Sequence, residues 1–80
     1  MNIVLISKDA IKELNSAMKN EEKLKEKILK LSLFPFTKNK IKKIKNKEFY
    51  ILELENYAII FQYLFGVVKI LKIIGKSSIE

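Results

Sequence analysis

Residues 49–74 read FYILELENYAIIFQYLFGVVKILKII. Apolar side chains return at every second position through most of this stretch, which is the period of a half-buried β-strand. Two breaks divide it, Glu55-Asn56 and Phe65-Gly66, each short enough for a hairpin turn. Strands are therefore predicted over Phe49–Leu54, Tyr57–Leu64 and Val67–Ile74, and links this short force an antiparallel meander. Two-residue turns also set the register. Leu54 faces Tyr57, Leu52 faces Ile59 and Tyr50 faces Phe61; across the second turn Tyr63 faces Val68, Phe61 faces Ile70 and Ile59 faces Lys72.

One face of that sheet collects Tyr50, Leu52, Leu54, Tyr57, Ile59, Phe61, Tyr63, Val68, Ile70 and Ile74. It carries all three tyrosines and is the better core, with the aromatics packing rather than stacking on bases. The other face collects Phe49, Ile51, Glu53, Ala58, Ile60, Gln62, Leu64, Val67, Lys69, Leu71 and Ile73. It is too apolar to stand in water. A partner peptide, a second copy of the chain or the chain's own end is expected to cover it, with Ile51, Ile60, Leu64, Val67, Leu71 and Ile73 as the partner-facing residues.

Upstream the period changes. Residues 2 to 6 read as a short buried strand. Ser7 is placed to cap a helix whose buried stripe is Ile11, Leu14 and Met18, running to about Lys19. Asn20 with Glu21 and Glu22 signals a second helix, its carboxylates at the positive end of the helix dipole. Leu24, Ile28 and Leu31 form its buried stripe, and Pro35 ends it because the residue before proline is pushed out of helical geometry. The two helices form an α-hairpin. The expected fold is α+β in a single domain, residues 1–80: strand, α-hairpin, then the meander, with the helices on one sheet face.

Composition narrows the chemistry. The chain has 80 residues, 49% of them hydrophobic, enough for one small core. It has no cysteine, so disulfides and thiolate metal sites are excluded, and no histidine, so the usual nucleophilic pairs are too. No cofactor or metal is expected. The apolar run Ile3 to Ile6 is too short for a signal peptide, and Gln62, Gly66, Lys69 and Lys72 break the longest apolar stretch, so a cytoplasmic location is expected.

Net charge is +7, and every cation is lysine. Six lysines (Lys38, Lys40, Lys42, Lys43, Lys45 and Lys47) crowd one ten-residue segment that has no carboxylate. The rest of the chain is nearly balanced. Such a run is either a solvated loop or a seat for a polyanion: RNA, DNA or an acidic protein.

The layout of strand, two helices, basic linker and three-strand meander resembles the RelE/ParE toxin superfamily of toxin–antitoxin pairs. Residues 49–61, FYILELENYAIIF, look like that family's YRLRVGDYRVIY core, and Ile73-Ile74-Gly75-Lys76-Ser77-Ser78 looks like its closing strand end. The resemblance implies a sheet-based toxin neutralised by a cognate antitoxin. Its target would be ribosome-bound mRNA in the RelE branch and DNA gyrase in the ParE branch.

The departures bear on activity. The family's cationic positions fall on Ile51, Glu53 and Ala58, and its terminal arginine falls on Ser77; Lys76 alone keeps its family type. If RNA cleavage survives, Glu53 is the candidate base, with Lys69 or Lys76 stabilising charge. The bland reading makes Glu53 a solvated carboxylate and Lys69 its sheet neighbour. The expected role is a toxin acting on translation; the alternatives are a gyrase-type protein inhibitor or a degenerate module that only binds antitoxin. A homodimer would also cover the apolar face.

Overall fold

The computed structural model describes residues 2–19, 22–34, 40–44 and 48–75. In chain order these form β1 (Ile3–Ile6), α1 (Lys8–Ala17), α2 (Leu24–Leu29), a 3-10 turn (Lys30–Leu33), β2 (Lys40–Lys43), β3 (Phe49–Glu53), β4 (Tyr57–Leu64) and β5 (Val67–Gly75). One five-stranded sheet has the order β1-β5-β4-β3-β2. The meander is present as expected, and two more strands flank it. β1 pairs with β5 in parallel, and the two helices carry the chain from this edge of the sheet to the opposite edge, where β2 lies.

β2 corrects the reading of the basic segment as a linker. Lys40 to Lys43 pair antiparallel with β3. Ile41 lies opposite Leu52 and packs against the core, and that apolar side chain anchors the lysine-rich strand to the sheet's helix side.

The first hairpin is closed by Leu54 N–H donating to Tyr57 O at 2.8 Å. The second turn has positive φ at both central residues, 51° at Phe65 and 75° at Gly66. Its twist therefore matches that of the flanking strands. Register follows the sequence reading through Leu52–Ile59, Tyr50–Phe61, Tyr63–Val68 and Phe61–Ile70. Beyond that point it departs. Ile60 lies opposite Lys72 and Ile59 opposite Ile73, because Leu71 is an extra residue in β5, a β-bulge.

A one-residue insertion exchanges the two faces of everything downstream. Ile73, expected on the partner face, is instead in the core and only 4% exposed. Ile74, expected in the core, takes the register position opposite Ala58. The exchange is driven by burial, since without it Lys72 would enter the core unpaired.

The core joins Leu52, Ile59, Phe61, Val68, Ile70 and Ile73 of the sheet to Ala10, Leu14, Ala17, Leu24, Ile28 and Leu31 of the helices. Ser7 caps α1 as expected, its Oγ accepting from Ala10 N at 3.2 Å. The buried stripe of α1 is Ala10, Leu14 and Ala17, while Ile11 is exposed. The two alanines let the helix lie close to β5, and a larger side chain at their positions would hold it off.

α2 begins at Leu24 with no side-chain cap; Asn20 and Glu21, named as its start, lie outside the described residues, as does Pro35. It tightens into the 3-10 turn at Lys30 and ends at Phe34, whose backbone is extended (φ −55°, ψ 138°). The Phe34 ring then meets Tyr50 and Tyr63 edge-on, both at 4.9 Å between centroids, and Phe61 at 5.6 Å. Asn2 ties this corner to β1, donating from Nδ2 to Phe34 O and from N to Ser32 O.

Candidate nucleic-acid and partner interface

The helices cover one face of the sheet, and the opposite face is built from the alternate residues. Directly opposed residues project to the same side of a sheet, so the ladder defines this face row by row. One row runs Lys42, Ile51, Ile60, Lys72 across β2 to β5. On one side of it lie Glu53, Ala58 and Ile74, with Lys40 at the register position opposite Glu53. On the other side lie Phe49, Gln62 and Lys69, continued onto β1 by Leu5. Leu64, Val67 and Ile3 complete the far end.

Ile3 and Leu5 are more than half exposed, and no described element lies over this face. Of the six residues expected to face a partner, four lie on this face by register, Ile51, Ile60, Leu64 and Val67, and Leu71 is at the bulge. Ile73 lies in the core instead.

The electrostatics are uneven. Lys42 Nζ and Glu53 Oε1 form an ion pair at 3.3 Å, with Lys42 71% exposed. Glu53 and Lys69 are not sheet neighbours, contrary to the reading that paired them. Their rows are four residues apart along the strands, about 14 Å, and the two strands are not adjacent. The structure thus gives Glu53 a different cation from the one the sequence reading assigned. Lys76 lies outside the described residues.

The basic segment is divided as well. Lys42 is on the open face, whereas Lys43 lies opposite Tyr50 on the helix side, so alternation along β2 sends neighbouring lysines to opposite surfaces. Lys38, Lys45 and Lys47 lie outside the described residues. Lys72 is the residue that sequence reasoning missed. Period-two counting put it opposite Ile59, and only the bulge brings it to the open face. The faint signal was the sequence Leu71-Lys72-Ile73-Ile74, where strict alternation would bury a lysine and expose an isoleucine.

On the helix side a shallow hollow of about 380 Å³ lies between α1 and the ends of β4 and β5, lined in part by Lys12, Glu13, Ser16 and Tyr57. Glu13 Oε1 accepts from Ile73 N there at 3.1 Å, so that carboxylate is engaged in holding β5. Among the described residues no three of Cys, His, Asp and Glu gather as a metal site would need. No helix among them is long and apolar enough to cross a membrane.

A two-helix layer on one face of this mixed sheet, with the opposite face open, is the RelE-like toxin fold. The chain superimposes on a chain of the RelB–RelE antitoxin–toxin complex of Methanococcus jannaschii with a TM-score of 0.68, at 22% identity over 94% of this chain and 93% of that one. A copper-bound variant of a toxin from Helicobacter pylori gives 0.68 at 18% identity over the whole of both chains. YafQ from E. coli gives 0.68 at 14% identity over 99% and 98%. No protein-family model matches the sequence, and no curated protein matches it either.

Proposed function

We propose that this chain is the toxin of a toxin–antitoxin pair, that it arrests growth by acting on translation at the ribosome or its mRNA, and that a cognate antitoxin neutralises it. One observation carries the reading: a RelE-like fold whose open sheet face is apolar at its centre and framed by lysines. An apolar, cationic surface suits two occupants in turn, a nucleic-acid backbone with its bases and an antitoxin with apolar and acidic side chains. The cytoplasm is where both would be met.

Controlled expression followed by pulse labelling tests this. A prompt fall in amino-acid incorporation, reversed by a co-expressed antitoxin, is the expected result. A fall in thymidine incorporation with translation intact would replace this reading by a ParE-type inhibitor of a protein target such as gyrase. That second reading draws on the separation of Glu53 from Lys69, which leaves this face without a close acid–base pair between them.

A further inference from the structure

Lys69 and Lys72 are three apart in sequence, a spacing that in a regular strand sends two side chains to opposite faces. The Leu71 bulge cancels that alternation. Lys69 lies opposite Gln62 and Lys72 opposite Ile60, consecutive positions on the same face of β5. Their backbones are about 7 Å apart along the strand, comparable to the spacing of successive phosphates in an extended nucleic-acid strand. Both are exposed, and among the described residues neither has a carboxylate within ion-pair distance. The ion pair on this face belongs to Lys42 and Glu53.

Position separates these two lysines from those of β2. A lysine on an edge strand is accounted for by the need to keep that edge from pairing with other chains. β5 is an interior strand, between β1 and β4, where no edge needs guarding. Like charges side by side repel, and this pair has Val67, Ile60 and Leu5 around it and the uncharged Gln62 opposite Lys69, with no carboxylate among these neighbours. An anion is the ligand that relieves such a pair.

The bulge is also held from outside the sheet. Ser7 Oγ donates to Leu71 O at 3.2 Å, and Glu13 Oε1 accepts from Ile73 N at 3.1 Å. The two bonds grip the residues on either side of Lys72, and both come from α1 or its cap.

We infer that Lys69 and Lys72 form a phosphate clasp for the backbone of single-stranded RNA, with Glu13 as the positioning residue that holds Lys72 on the open face. This rests on the proposal that the chain acts on RNA, and it names residues that the basic segment 38–47 does not include.

The test is a fluorescence-anisotropy titration of a short labelled poly-uridine strand with the full chain across 50–200 mM salt. Each lysine engaged with a phosphate of a single strand contributes about 0.7 to the slope of log K against log salt. Lys69→Gln with Lys72→Gln is expected to flatten the slope by about 1.4, which is about sevenfold less loss of affinity over that range. Lys8→Gln with Lys25→Gln, on the helices, is expected to leave it unchanged. Glu13→Leu is expected to flatten it by about 0.7, and Glu13→Gln, which can still accept from Ile73 N, to restore it.

An unaltered slope in the Lys69/Lys72 double variant overturns the clasp while leaving RNA binding by another surface intact. A Glu13→Leu slope equal to wild type overturns the positioning role; should that variant not fold, the exposed lysine pair still decides the clasp. Tighter binding of poly-glutamate than of RNA overturns it in favour of an acidic protein partner. Absence of any salt-dependent RNA binding by the wild type removes both the clasp and the RNA reading beneath it.

Discussion

Phe65 shows how a single residue can sit against its own preference. It occupies the first central position of a turn that needs positive φ, at 51°, and its side chain is 93% exposed. A left-handed backbone costs a residue with a Cβ about 1–2 kcal/mol, and asparagine tolerates it best after glycine. Phe65→Asn is therefore expected to stabilise the chain by about 1 kcal/mol, read as a higher urea midpoint with an unchanged m-value. Glu53 sits in the opposite situation, with a partner but little to gain from it. Its pair with a 71%-exposed lysine contributes at most about 1 kcal/mol. Glu53→Gln should shift the melting temperature little. The same variant, beside wild type and Lys76→Ala, belongs in a primer-extension assay on programmed ribosomes, where little or no mRNA cleavage is expected from any of them. Robust wild-type cleavage abolished by Glu53→Gln would instead establish that carboxylate as a general base.

At the scale of elements, the contact between α1 and β5 carries more than one duty. Ser7 receives Ala10 N to start the helix, donates its hydroxyl to Leu71 O, and its own N–H reaches Ile70 O at 2.9 Å. Ser7→Ala removes the cap and leaves a strand carbonyl without its donor, an expected loss of about 1–2 kcal/mol. Ser7→Gly, which retains capping geometry but not the hydroxyl, should fall between. The corner after α2 depends on Phe34 in a similar way. Its ring is the hub of the cluster with Tyr50, Phe61 and Tyr63. Phe34→Ala is expected to cost about 2–4 kcal/mol, less than for a fully buried ring because Phe34 is only half-buried. Equilibrium denaturation measures both; a loss below 1 kcal/mol for Phe34→Ala would mean that this cluster is peripheral to stability.

For the whole molecule the deciding quantity is the margin. Eighty residues without a covalent staple give a stability of about 4–12 kcal/mol by the usual per-residue scale, and small domains sit at its lower end. The open face leaves Ile3, Leu5 and Leu64 exposed, and this apolar surface contributes nothing until something covers it. A partner present at a hundred times its Kd would add about 2.7 kcal/mol. The isolated chain is thus expected to melt low and to rise markedly in complex with a co-encoded antitoxin. An unchanged melting temperature in a verified complex would show that the partner binds a surface uncoupled from folding.

Local features of the chain determined most of the architecture. The alternation of residues 49–70, the two short turns and the Ser7 cap each act over a few residues, and each is found where the sequence placed it. Leu24, Ile28 and Leu31 are buried for the same reason, helical spacing on one apolar stripe. The tertiary structure decided what depended on neighbours far along the chain. β2 became a strand because β3 offered a free edge and the core had room for Ile41; six lysines hid that apolar residue from any reading by charge. Ala10 and Ala17 replaced Ile11 on the buried side of α1 because closeness to β5 mattered more there than side-chain size. The bulge at Leu71 belongs to the same class. Its groups are satisfied by Ser7 and Glu13, more than fifty residues away in the chain, and a period counted along β5 alone holds no trace of them. That remote support chooses between Lys72 and Ile73 for the open face, so the second cation of β5 on that face is a tertiary property.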